Sequence, residues 1–268
     1  MPDKKYNTSN LGLRLGADAS AALSAGALVA PLITMIDRAI IENASGRNAL
    51  VPSLKKSALS LLTRPHRFLT SKPFLLILML YSGTYLTANT LDTASSTLRN
   101  RPASNVTSGP SKFLATSTAN LSLCLYKDSQ FTRLFGAATG GAPRAVPGPT
   151  YVLFAARDCL TVFASFNLPP ILAPAVPLSQ AAEKYVSATS VAQFVAPAAI
   201  QLVSTPLHLL GLDLYNRNEP TAFAERMKKV RVDWLKSSLA RMARIVPAFG
   251  VGGVVNTSVR KSMMAKLE

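Results

Sequence analysis

Uncharged positions in this chain gather into long blocks instead of alternating. Residues 19–36, 74–91, 159–182 and 185–212 run for 18, 18, 24 and 28 positions without an Asp, Glu, Lys or Arg. A bilayer core of about 30 Å is crossed by about 20 helical residues, so each block predicts a span. Two shorter, more polar blocks, 113–126 and 245–259, predict two more. The block 159–182 carries Pro169, Pro170, Pro174 and Pro177, a run that ends a helix early. Ala, Ser, Thr and Gly dominate these blocks, as in membrane helices that pack closely, and Gly250 and Gly253 share one face of the last. A soluble bundle of Ala-rich buried helices is the alternative.

Between the blocks the period changes. In 50–63, Leu54, Ala58, Leu61 and Leu62 share a helical face beside Lys55 and Lys56. In 221–238, Phe223, Met227, Val230 and Trp234 share one face with Lys and Arg opposite. Both predict amphipathic helices on a membrane surface, where cations suit anionic phospholipid.

Composition sharpens this picture. The 268 residues hold 29 Lys and Arg against 13 Asp and Glu, a net charge of +16, yet only 16% are charged and 49% are hydrophobic. That hydrophobicity excludes disorder, and two cysteines, Cys124 and Cys159, exclude a disulfide scaffold. The sparse charge argues against a nucleic-acid partner. Of the basic residues, 18 lie in 37–72, 127–149 and 213–244 and ten in the other connections and termini, which by the positive-inside rule sets the odd connections on the negative side. The N-terminal twenty residues, with Asp3 and Asp18, lack the pattern of a cleaved signal.

The order span, basic amphipathic helix, span recurs three times: about 11–98, 109–178 and 185–262, within one membrane domain over 1–268. The odd spans carry Pro31, Ser122 and Pro206 at corresponding places, 91 and 84 residues apart. A proline removes a helical hydrogen bond and kinks the helix. On these residues, and on Arg157-Asp158 near span 4 and the Arg-x-x-Pro of Arg244 to Pro247, the chain resembles a divergent member of the mitochondrial carrier family. The resemblance implies an all-α membrane protein: six transmembrane helices in three pseudo-repeats, with short amphipathic helices on the matrix side. It implies the mitochondrial inner membrane, with the outer membrane as alternative, and transport of a small anionic metabolite without a cofactor.

The resemblance also implies roles. Arg157, Asp158, Arg244 and Met79 take the substrate positions. Two arginines suit a carboxylate or phosphate, and Asp158 suits a cationic group, as on an amino acid. Pro31, Ser122 and Pro206 are the kink positions. The motif's acids are replaced by Ile33, Cys124 and His208, and of its cations only Lys127 stays, although Asp37, Asp128 and Asp213 lie nearby. Of the opposite gate, Asp92 and Arg260 stay. This thinning of both gates makes a non-transporting scaffold, assembly factor or insertion aid the second reading; a basic peripheral protein is the third. No triad, phosphate loop or carboxylate pair predicts an enzyme. His208 and Cys124 lack the spacing of a metal site.

Overall fold

A computed structural model describes residues 6–107, 109–136, 145–166, 168–175, 188–217 and 220–268; Pro177, the link at 183–184, the end of the second expected repeat and the start of the third lie outside them. The described residues form helices and no strand. In chain order these are α1 (Leu11–Ser45), α2 (Leu50–Thr63), α3 (Pro65–Leu69), α4 (Lys72–Leu98), α5 (Pro110–Phe135), α6 (Gly148–Phe166), α7 (Leu168–Leu172), α8 (Ala188–Ala199), α9 (Gln201–Asn216), α10 (Phe223–Ala243) and α11 (Gly252–Ala265). A π-helical stretch, Val246–Val251, leads into α11.

Among the described residues three helical segments are long and apolar enough to cross a membrane: α1, α4, and the run Phe194–Asn216 through α8 and α9. Among the described residues the six expected spans thus reduce to three by length and composition. α5 is 26 residues long but carries Lys112, Lys127, Asp128 and Arg133. The fourth expected span, 159–182, is displaced: its helix α6 starts at Gly148, so Arg157 and Asp158 sit in mid-helix instead of at an entrance. The described part beyond Phe166 is a short α7 and one turn of 3₁₀ helix, as the proline run requires.

Local chemistry sets the ends. α1 stops at Gly46, whose φ of 78° favours a residue without Cβ. There the Gly46 N–H reaches Asn43 O at 3.2 Å and the Arg47 N–H reaches Glu42 O at 3.0 Å. Ser71 caps α4 by accepting from the Phe74 N–H, with Pro73 in the first turn where its missing donor is harmless. Pro31 and Pro206 lie inside α1 and α9, which continue through them.

α1 packs along α4, α4 against α5, α5 against α6, α6 against α9, and α11 returns to α1. α9, α10 and the π-helical stretch also reach α1 and close the circuit. The apolar core joins Ile33 and Ile41 of α1 to Ile77 of α4, Phe131 of α5, Phe154 of α6 and Leu212 of α9. At Gly26 the helices are so close that a Cβ would strike Ser82 of α4. Outside, Leu23, Leu28, Leu75, Leu114 and Phe163 are exposed, the side chains a lipid-facing wall carries.

The amphipathic helices form, with a twist on the expectation. α2 matches 50–63, but it buries Ser53 and Ser57 while Leu62 is 79% exposed. α10 buries Val230, Asp233, Ser237 and Arg241 while Phe223 and Leu235 face out. Ser53 of α2 and Asp233 and Ser238 of α10 dock on the bundle through hydrogen bonds, while Leu62, Phe223 and Leu235 point outward.

Candidate functional site

Six charges, five of them buried and Arg244 partly so, form a chain of alternating sign. Arg244, just after α10, donates through Nη1 to Asp37 Oδ1 on α1 at 2.6 Å. Asp37 Oδ2 accepts from Lys127 Nζ on α5 at 2.8 Å. Lys127 also bonds Asp128. Asp128 Oδ2 accepts from Arg157 Nη2 on α6 at 2.6 Å, and Arg157 bonds Asp158 in turn. Three cations and three carboxylates cancel. Taking one such ion out of water costs several kcal/mol, which only near-complete pairing offsets.

Neighbours finish the pairing. His208 on α9 stacks on Phe154, with ring centroids 5.0 Å apart, and its Nδ1 lies 3.0 Å from Arg157 Nη1. A guanidinium only donates, so Nδ1 accepts and the ring is neutral there. Arg241 of α10 lies beside the chain and donates through Nε to Gln201 Oε1 at 3.0 Å. Donor atoms of Cys124, Asp128 and Asp158 lie within 4.8 Å of one another, the grouping that would hold a metal. The Arg157 guanidinium already donates to each of the three, so a cation fills this position.

Against this chain lies a cavity of about 140 Å³ between α4, α5, α6 and the start of the π-helical stretch. That is room for several waters or one small solute. Its apolar wall is Leu80, Tyr81, Tyr85, Ile245 and Ala248, and its neutral polar groups include Thr84, Ser117, Asn120 and Thr161. Asp158 and Arg244, the two ends of the alternating chain, are its charged lining among the described residues. Each end has an unfilled valence: Asp158 Oδ2, Arg244 Nε and also Ser117 Oγ are buried without a hydrogen-bond partner.

A second polar cluster ties α1, α4 and α11 together. Asp18 accepts from Arg260 Nε at 2.7 Å and from Thr93 Oγ1 at 2.6 Å. Arg14 bonds Ser96, and the amides of Asn89 and Asn256 exchange a reciprocal pair of 2.9 Å hydrogen bonds. Asp92 is held elsewhere, by Lys112 Nζ at 2.7 Å. Outside the bundle core, Asp233 of α10 accepts from Asn43 of α1 at 3.0 Å and pairs with Lys229 and Lys236. Burial pushes the Asp233 carboxyl up, but these bonds from Lys236, Lys229 and Asn43 outweigh it and hold the group below the usual carboxylate range.

Of the residues singled out in the sequence, Arg157, Asp158, Lys127, His208 and Arg244 are brought together. Met79 is not: it packs against the apolar core, away from the cavity lining. Ser122 is exposed on α5, and Pro31 and Pro206 are half-buried within their helices. Asp92 and Arg260 form two separate contacts, not one gate. Asp37, Asp128, Asp18 and Arg14 carry the networks and were not assigned to them. A signal existed: Asp37 and Asp128 lie four residues after Ile33 and Cys124, one turn on along the same face.

The chain belongs to the family described as probable citrulline exporters, whose model matches residues 21–264. This corrects the resemblance to mitochondrial carriers, which rested on two prolines and scattered arginines without the motif's acids. No individual curated protein matches the sequence.

Proposed function

We propose that this protein moves citrulline, or a closely similar small amino acid, across a membrane, and that the cavity between α4, α5 and α6 is where the solute rests. One observation carries the reading. A solute-sized space lies among long apolar helices, and its charged lining is one acid and one arginine. Intramembrane ionisable groups are retained where they face a solute or a partner. The alternating chain from Arg244 to Asp158 lies beside the cavity and would have to open for passage. In this reading α5, α6 and the π-helical stretch with α11 complete the wall begun by the three apolar spans. Lys127, Arg157, Asp158 and Arg260 turn inward, and with them these helices do not read as simple spans.

The family name supports export of citrulline. The solute is then a net-neutral zwitterion, and not the small anion that the paired arginines suggested. Purified protein in liposomes loaded with labelled citrulline tests this: efflux should exceed that from protein-free liposomes and saturate with internal concentration. Folded protein that releases no label would overturn the reading.

A further inference from the structure

Resting on that reading, we propose how the site recognises its solute. The α-ammonium group binds Asp158, the α-carboxylate binds Arg244, and the bound zwitterion closes the open chain of six charges into a ring. The warrant is the pair of unfilled valences. Asp158 spends Oδ1 on Arg157 and leaves Oδ2 buried without a partner; Arg244 spends Nη1 on Asp37 and leaves Nε likewise, and both residues line the cavity. A carboxylate oxygen without a partner takes a cation, and a guanidinium N–H takes an anion. A zwitterion supplies one of each and leaves the net charge of the site unchanged.

The same arithmetic sets selectivity. Among the described residues the cavity offers no second acid, so the extra cation of arginine or ornithine meets none. It offers no second cation for the extra carboxylate of glutamate. A neutral ureido tail, rich in donors and acceptors, meets the unpartnered Ser117 hydroxyl and Asn120, whose Nδ2 reaches Thr84 at 3.2 Å. Asp158 and Arg244 are thus specificity residues for the two ends of the amino-acid head.

The test pairs a group removed from the solute with a group removed from the protein. Labelled citrulline efflux is competed by citrulline, by 5-ureidopentanoate (which lacks the amine), by N-carbamoylputrescine (which lacks the carboxylate), and by arginine. For the native protein each truncated analogue, and arginine, should compete more weakly than citrulline, on the order of ten- to a hundredfold. Asp158→Asn keeps an Oδ1 acceptor for Arg157 but removes the charge. In this variant citrulline should fall to the level of 5-ureidopentanoate, which itself stays unchanged. Arg244→Gln should do the same for N-carbamoylputrescine, and Arg244→Lys, which can still reach Asp37, guards against misfolding. Equal weakening of citrulline and 5-ureidopentanoate by Asp158→Asn overturns the assignment, as does arginine competing as well as citrulline. No efflux of any solute by folded native protein sinks the transport reading itself, a distinct result.

Discussion

Replacing Lys127 with Met removes the middle link of the alternating chain while keeping an apolar stem of similar length. Lys127 is 1% exposed and pairs with both Asp37 and Asp128. After the change Asp37 keeps Arg244 and Asp128 keeps Arg157. Breaking a buried pair typically costs about 3–5 kcal/mol, because a charge is left behind without its partner. The surviving arginines offset part of this, which places the loss at about 3 kcal/mol. For a chain of this size about 1 kcal/mol moves the midpoint about 2–4 °C, so Tm in detergent should fall by about 6–12 °C. Lys261→Met, an exposed control, should move it by less than about 2 °C. Adding Asp128→Asn to Lys127→Met should recover part of the loss, since the two residues share one network. A Lys127→Met protein melting within about 2 °C of the native one would refute the view that this chain is a stabilising unit.

Other consequences can be checked separately. Cys124 lines the cavity, so citrulline should slow its reaction with a small maleimide while leaving the exposed Cys159 unaffected; mass spectrometry of each peptide decides. Gly26→Val should destabilise by about 1–3 kcal/mol, because a Cβ there strikes Ser82, and Ser82→Gly should relieve part of the strain. Asp233 titrates below the ordinary carboxylate range when folded, so its contribution is present above the unfolded pKa of about 3.9 and is lost as pH falls through the folded value. The Tm gap between native protein and Asp233→Asn should therefore hold steady from pH 7 to 5, as those unfolded carboxylates are ionised there, and shrink below about pH 4.

The helices were legible where one physical cause dominated. Residues 50–63 became α2 because the spacing of their leucines is that of one helical face. Blocks 19–36 and 74–91 lie within α1 and α4, since nothing but a helix satisfies the backbone of such apolar runs in lipid. The site was legible only as parts. Arg157 and Arg244 stood out as charges near apolar blocks, but their partners had to be found across 207 residues, as between Arg244 and Asp37. The motif positions hold Ile33 and Cys124, whereas a helix presents the next turn to the same neighbour, and Asp37 and Asp128 sit there. The buried serines of α2 and α10 were not legible: residues that look neutral in a hydrophobic pattern can be what a helix buries.

The length of α1 fixes where everything else sits. Its 35 residues extend about 52 Å, far beyond a hydrocarbon slab of about 30 Å. Asp18 and Asp37 lie nineteen residues apart on it, or about 28 Å along the axis. The single helix therefore works as a ruler, with these two of its three acids as marks about one membrane thickness apart. A spin label stepped along the outward face of α1 should find oxygen-rich depth only between those marks.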